Sequence, residues 1–508
     1  MPEVVEISRS SNPFRRDGIT VDKNGVAHYD HIPATLLDML DEQVTVRPDS
    51  EAVVELNAER LTYRQLWDRA SRVAGGLRAG GLKPGDRVAV RYPAGIPWVL
   101  AFWGTVMAGG IAVAVNTRSA QPEVDFVLHD AGAHVDLGPE TPLPNGPPYV
   151  ADHLGPKDVA ALFYTSGTTG HPKGVPTTHE AFVTNTENGI RCLNQPRDLG
   201  EDLRTLISVP LFHVTGCNSQ LLAAARLGGA AVIMPALNLD AMVATLAAER
   251  ISVMVTVPAI YALLLRHKDF AAADVSGVRW AGYGGAPIAP SLVRSVKTAF
   301  AQACVFNGYG MTESASLMTL LPDAQAVEHV DSVGFAVPSV ELGVIPNEDG
   351  QLVGELVARG ANITAGYWNR PEATATTVVD GWLHTGDVVR VDDAGRVHII
   401  DRLKDIINRG GENISSVEVE AALLAAPTVL DACVLAVPDE VMGEKVGAVL
   451  VGERIDVPAV LEHCRGQLAD YKIPQYISVV TTPLPRNAGG KLLKARLRGQ
   501  VQWGAALR

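Results

Sequence analysis

Apolar and polar positions follow two recurring rhythms along the chain. Leu66, Ala70, Val73, Ala74 and Leu77 recur every three or four positions, as one face of a helix does, and Thr62 with Gln65 supplies a capping box to start it. Gly80-Gly81 ends that helix, and Arg87 to Tyr92 (RVAVRY) then reads as a strand. The alternation returns with strands over Ala230–Met234 and Val253–Val257 on either side of a helix over Asp240–Glu249. Repeated βα units of this kind predict a parallel sheet covered by helices on both faces.

One apolar run needs a separate decision. Trp98 to Val115 (WVLAFWGTVMAGGIAVAV) holds 18 residues without a charge, about the length of a membrane span. Gly109-Gly110 divides it into a helix-length piece and a β-branched piece, so it reads as a buried helix, a turn and a buried strand. No transmembrane segment is expected, although peripheral membrane contact and a homodimer both remain compatible with the sequence.

The rhythm changes after about Val333, where short runs such as GELVARG and GRVHIID are separated by Gly, Asp and Pro, as in a small β-rich subdomain. After Asp401, a capping box of Ser415 and Glu418 opens a helix over Val417–Ala425, and strands follow over Val429–Val437 and Gly447–Val451. The expected architecture is therefore α/β: an irregular extension over 1–30, a large domain of layered βα sheets with its β-rich subdomain over 31–402, and a small α+β domain over 403–508.

Composition narrows the function. A chain of 508 residues exceeds one ordinary core, and its net charge of -13 leaves no electrostatic footprint for nucleic acid. Cys192, Cys217, Cys304, Cys433 and Cys464 are scattered, with no CxxC pair and no HExxH, so they read as small apolar fillers in a reducing compartment. The N-terminus is polar and lacks an apolar signal segment, and a cytoplasmic protein is expected.

The candidate chemistry begins at Tyr164 to Gly174, YTSGTTGHPKG, which follows the apolar run Val159–Phe163. Its glycines let the backbone approach a polyphosphate, while hydroxyls and Lys173 add donors and charge. Pro172 before Lys173 and Gly174 after it exclude a Walker A loop, and GxGxxG is absent.

This stretch resembles the phosphate-loop signature of the adenylate-forming superfamily: acyl- and aryl-CoA synthetases, luciferases and the adenylation domains of peptide synthetases. The resemblance runs from about Ile32 to Lys494, is greatest to bacterial fatty-acid–CoA ligases, and rests on further motifs in the family's order. Asn307-Gly308-Tyr309-Gly310-Met311-Thr312-Glu313 matches the segment whose tyrosine stacks on adenine, whose threonine contacts phosphate and whose glutamate holds Mg²⁺. Gly284-Gly285-Ala286 resembles the segment lining the adenine and acyl pockets. In Gly381 to Asp387 (GWLHTGD) and the later Asp401-Arg402 pair, the resemblance implies that Asp387 and Arg402 contact the ribose. Arg409, Gly410 and Gly411 resemble the loop facing the pantetheine channel. PRNAGGK, ending at Lys491, resembles the motif whose lysine reaches the α-phosphate and the reacting carboxylate, and Lys404 matches the hinge about which the small domain moves.

The resemblance thus implies ATP-binding by Thr165, Ser166, Gly167, Thr168, Thr169, Gly170, Lys173, Gly285, Ala286, Asn307, Gly308, Tyr309, Gly310, Thr312, Asp387, Arg402 and Lys491. It implies catalytic roles for Lys491, His213, Thr312 and Glu313. In the implied reaction a carboxylic acid attacks the α-phosphorus of Mg·ATP, pyrophosphate leaves, and CoA displaces AMP. His213, in PLFHVTG, matches the acyl-pocket histidine; amino-acid-activating members carry an aspartate there, which argues against an α-amino acid. His213, Gly216, Gly284, Gly285 and Met311 are the expected acyl contacts. The small residues Gly216, Gly284, Gly285 and Ala286 leave room for an alkyl chain, so a fatty acid is preferred over a coumarate- or benzoate-type acid. No carrier domain follows Lys491, so the expected acceptor is free CoA, with a separate acyl carrier protein as the alternative. An ATPase or kinase with an unusual loop, and a non-catalytic relative, are the competing classes; the second should lack Lys491, Glu313 or Asp387, and all three are present.

Overall fold

The computed structural model describes residues 3–165, 172–286, 288–346, 352–426, 428–486 and 492–507. Thr62 caps the helix Tyr63–Ala79 reciprocally with Gln65, and the buried face of that helix carries Leu66, Ala70, Val73, Ala74 and Leu77. Ser415 accepts from the Glu418 N–H and opens the helix Ser416–Leu424, but the Glu418 carboxylate turns to Lys472 at 2.7 Å, so only half of the expected box forms. The apolar run resolves into the helix Ile96–Met107 and the strand Ile111–Ala114, with Gly109 at φ +76° between them. Among the described residues no helix is long and apolar enough to cross a membrane.

The βα units build two sheets. In the larger, six parallel strands run in the order Cys304–Tyr309, Trp280–Gly284, Val253–Thr256, Arg204–Ile207, Ala230–Ile233 and Glu51–Glu55, with antiparallel strands added at both edges. The second sheet orders Lys173–Thr178, Val159–Thr165, Ile111–Ala114, Arg87–Val90 and Ala133–Leu137; only its first pair is antiparallel. A continuous apolar core, including Trp98, Phe102, Trp103, Phe163 and Phe182, lies about the helices packed on these sheets.

The β-rich subdomain is an antiparallel sheet built on Val340–Pro346, Val353–Gly360, Trp382–Val391 and Val397–Arg402. Beyond it, Ile407–Arg409, Glu412–Ile414, Asp431–Asp439, Gly443–Val451 and Tyr476–Val480 form a sheet with a separate core around Val419, Leu423, Val434 and Leu450. That core is the physical basis of a small C-terminal domain.

Residues 3–30 are more ordered than the irregular extension expected. Val5–Glu6 adds a strand to the antiparallel sheet opposite Val344 and Gly343, and Ile19–Val21 pairs with Ala27–Tyr29. Arg9 Nη1 donates to the Val340 carbonyl at 2.7 Å, and Nη2 reaches the Ala336 and Val337 carbonyls at 3.2 Å. One guanidinium thus satisfies three carbonyls, a long-range anchor that periodicity does not reveal.

Candidate active site

The parallel strands Trp280–Gly284 and Cys304–Tyr309 end side by side, with Gly284 opposite Gly308. Carboxyl ends of adjacent parallel strands are where open α/β sheets bind ligands. A Cβ at Gly284 would lie 2.4 Å from the Gly308 carbonyl oxygen, so these ladders meet only without a side chain. A Cβ at Gly216 would likewise stand 2.4 Å from the Pro210 oxygen. At both positions backbone fills the space expected to serve an alkyl chain. Gly285 and Ala286 are exposed, and Gly285 has φ +74°.

The chain after Tyr309 turns sharply through Gly310. A Cβ there would fall 1.5 Å from the Ser316 oxygen, because residues 310–317 fold back on themselves around the short helix Thr312–Ser314. Ala315 and Ser316 have φ of 53° and 123°, a conformation uncommon for side-chain-bearing residues that persists only when neighbours enforce it. Three asparagines do so. Asn218 donates to the Ala315 carbonyl at 2.7 Å, Asn362 to those of Ser314 and Leu317 at 2.8 and 3.0 Å, and Asn185 accepts from the Leu317 N–H at 2.9 Å. Met311 is partly buried beside this turn, and Asn307 donates weakly to the Ser332 carbonyl at 3.4 Å.

Tyr309 leads from this turn to the β-rich sheet. Its hydroxyl donates to Asp387 Oδ2 at 2.5 Å, while Arg402 Nε stands 2.6 Å from Asp387 Oδ1. Asp387 is buried, and burial together with its carboxylate pushes the Tyr309 phenol well above its ordinary value. The three residues expected around adenine and ribose are therefore in direct contact.

Four positions beyond Tyr309 lies Glu313, also buried. The Tyr367 hydroxyl donates to its Oε1 at 2.7 Å, and the Lys173 ammonium sits 4.6 Å from the centre of the Tyr367 ring. Among the described residues the other Glu313 oxygen accepts no hydrogen bond, and the Lys173 ammonium has the Tyr367 ring and no carboxylate as its partner. A carboxylate anchored through one oxygen with the second free suits a hard cation such as Mg²⁺, and an unpaired ammonium suits phosphate. The other group with metal-ligand spacing among the described residues, Asp240, His267 and Asp269, lies elsewhere, and its imidazole already bonds Asp240 and the Asp269 N–H.

Lys173 and Thr165 are cross-strand partners at the mouth of the glycine-rich loop. Ser166, Gly167, Thr168, Thr169 and Gly170 of that loop lie outside the described residues, as does Lys491. Tyr367 and the three asparagines were not singled out from the sequence. The signal available for Tyr367 was the aromatic pair Tyr367-Trp368 after Gly366, ahead of a helix-opening Pro371.

His213 stands at the N-cap position of the short helix Val214–Gly216 without a side-chain capping bond, and the Phe212 ring centre lies 4.8 Å from its own. Its Nε2 is buried without a hydrogen-bond partner, and burial, helped by nearby Arg118, lowers its pKa to about 4. The imidazole is therefore neutral near pH 7.

In the small domain, Gly410 and Gly411 have φ of 62° and 95° and turn the hairpin between Ile407–Arg409 and Glu412–Ile414. Two successive positive φ values are what a two-residue hairpin requires, which accounts for both glycines independently of any ligand. The Arg409 Nε is buried without a partner among the described residues. Lys404 is exposed in the turn that leads from the β-rich sheet into the small domain. Arg498 of the helix Lys494–Gln500 reaches Asp405 Oδ1 at 2.6 Å and the Lys404 carbonyl at 3.3 Å. Asp401 Oδ2 accepts from the Ser416 N–H at 2.5 Å and so caps a small-domain helix.

Residues 40–368 match the AMP-binding enzyme family, and residues 418–491 match the AMP-binding enzyme C-terminal domain. A feruloyl-CoA synthase of an Amycolatopsis species is 37% identical over 86% of this chain and 93% of its own. The long-chain-fatty-acid–CoA ligase FadD13 of Mycobacterium tuberculosis is 33% identical over 91% of this chain and 97% of its own. Among solved structures, the o-succinylbenzoate coenzyme A synthetase of Bacillus subtilis in complex with ATP and magnesium ion superimposes with a TM-score of 0.82 at 28% identity, covering 91% of this chain and 99% of that one.

Proposed function

Because this chain belongs to the family of AMP-binding enzymes and is an AMP-forming acyl-CoA ligase, we propose that it joins an apolar carboxylic acid to CoA with cleavage of ATP to AMP and pyrophosphate. The observation that carries this reading is the continuity of the site. Residues 307–313 join the Tyr309–Asp387–Arg402 cluster to the Glu313–Tyr367–Lys173 cluster, so one segment serves both ends of a nucleotide.

In the first half-reaction the acid's carboxylate oxygen bonds to the α-phosphorus, and the bond to the pyrophosphate oxygen breaks. The carboxylate is already a nucleophile, so no general base is needed. Asp387 and Arg402 hold the ribose, Tyr309 the adenine, and Lys173 with Thr165 to Gly170 the outer phosphates. Glu313 is the residue to hold Mg²⁺, which when bound neutralises phosphate charge. Lys491 meets the charge that develops between carboxylate and α-phosphate. In the second half-reaction the CoA sulfur adds to the acyl carbon, AMP leaves, and the thiol proton passes to solvent. Arg409, Gly410 and Gly411 face the thiol arm, and the small domain turns about Lys404 between the two steps.

The neutral His213 at the position expected to select the acid offers no carboxylate for an ammonium group, which supports an acid without an α-amino substituent. Fatty acids and hydroxycinnamic acids both meet this description, as the names of the two relatives do. With backbone filling the space at Gly216 and Gly284, the argument for an alkyl chain from small residues lapses.

The test is a panel of fatty, hydroxycinnamic and benzoic acids, scored for pyrophosphate release with and without CoA. Release with AMP and an acyl-CoA product supports the reading, and the fastest acid fixes the class. ADP or phosphate as product would indicate a kinase or ATPase instead.

A further inference from the structure

Tyr367 touches two groups that have opposite charge and must not meet. Its hydroxyl donates to Glu313 Oε1 at 2.7 Å, and its ring face lies under the Lys173 ammonium at 4.6 Å. A phenol is suited to both tasks, because its O–H serves an anion while its π-face serves a cation. Phenylalanine lacks the donor, and serine or threonine lacks the face.

The segment carrying Tyr367 is fastened to both sides of the glycine-rich loop. Its own N–H donates to Thr374 Oγ1 at 2.9 Å, and the next N–H, of Trp368, donates to the Gly174 carbonyl at 2.8 Å. Three residues on, Arg370 pairs with the buried Asp130, which also accepts from the Tyr164 hydroxyl at 2.9 Å. Tyr164 and Gly174 are cross-strand partners at the two stems of the loop. The ring is therefore held relative to the loop's base, and Lys173 and Glu313 are held relative to the ring.

Without such a spacer, a lysine and a glutamate converging on one phosphate chain would satisfy each other. A collapsed pair would cancel the charge needed for phosphate and occupy the oxygen needed for a cation.

We propose that Tyr367 is a positioning residue that keeps Lys173 and Glu313 apart and aims them separately, the ammonium at ATP phosphate and the carboxylate at its divalent cation. This rests on the reading of Lys173 and Glu313 given above.

The test is a binding cycle rather than turnover. Calorimetry measures the affinity of the full-length protein for ATP in EDTA and for Mg·ATP, in wild type, Tyr367→Phe and Tyr367→Leu, with thermal melts alongside. The phenylalanine variant keeps the seat for Lys173 and loses the bond to Glu313. It should hold cation-free ATP within about twofold of wild type while losing about tenfold of the gain that Mg²⁺ confers. The leucine variant should weaken both. Equal weakening of ATP and Mg·ATP by Tyr367→Phe, or no change in either, overturns the proposal; if the leucine variant fails to fold, the phenylalanine arm decides. Glu313→Gln is the control for the underlying reading. If it leaves the Mg²⁺ gain at the wild-type value, the assignment of Glu313 fails, and that result is distinct from a failure at Tyr367.

Discussion

Asp387 and Arg402 are cross-strand partners, and the Arg402 Nε stands 2.6 Å from Asp387 Oδ1. With the Tyr309 hydroxyl on Oδ2, both oxygens of the Asp387 carboxylate are engaged in the structure. On the proposed ribose role of Asp387, the ribose hydroxyls must share this carboxylate or displace the phenol. Replacing Arg402 by Ala leaves a buried charge short of a charged donor, which costs about 2 kcal/mol. The expected outcome is a raised KM for ATP together with a lower urea midpoint, measured on the same preparation. Tyr309→Phe should spare the midpoint by comparison, because Asp387 keeps its guanidinium.

Gly308 and Gly310 lie two residues apart but should respond differently to alanine. A Cβ at Gly308 would stand 3.1 Å from the tip of Leu317, a side chain able to give way. At Gly310 it would stand 1.5 Å from the Ser316 backbone oxygen, inside a turn fixed by three asparagines. Gly310→Ala should cost about 3 kcal/mol or displace the turn, and Gly308→Ala below about 1 kcal/mol. Thermal melts and ATP titrations of the two variants compare them directly; equal effects would count against the crowding argument.

Acid should weaken the fold through buried histidines. His213 and His179 are lowered from an ordinary 6.5 to about 4, in both cases chiefly by burial, and His179 Nδ1 also accepts from the Leu36 N–H. Between those values the unfolded chain binds protons that the folded chain refuses. Stability is therefore fully present above pH 6.5 and falls as the pH drops toward 4, by roughly 3 kcal/mol per histidine at most. Urea midpoints across that range, in wild type and His213→Asn, measure the slope. The variant should be flatter.

Lys491 is assigned to one half-reaction only. Lys491→Ala should abolish pyrophosphate release from acid and ATP but largely spare thioester formation from a preformed acyl-adenylate. Single-turnover assays of the two steps separate them, and an equal loss in both would refute the division of labour.

Much of this site was legible because its chemistry is carried by short contiguous motifs. Tyr309, Glu313, Asp387 and Arg402 each sit in such a motif, and the structure brings three of them, Tyr309, Asp387 and Arg402, into contact. The helix Tyr63–Ala79 was legible too, since its cap and stripe are local. Tyr367 was not. It lies 54 positions from Glu313, and nothing near it in sequence indicates which loop it will meet. The role of glycines was misjudged for a related reason: composition shows that a side chain is absent, but only the fold shows that Pro210 and Gly308 backbone occupies its place. Arg9 anchors the N-terminal strand to carbonyls more than three hundred residues away, beyond the reach of any local pattern.

Asp401 lies in the last strand of the β-rich sheet, yet its carboxylate accepts from the first N–H of a helix on the far side of Lys404. On the proposal that the small domain turns about Lys404, this bond belongs to one arrangement of the two domains and not the other. A charged acceptor on a helix N–H is worth about 1.5–3 kcal/mol, which multiplies the population of that arrangement roughly ten- to hundredfold. On that proposal Asp401 is a counterweight: it weights one posture against the other from the junction of the two domains.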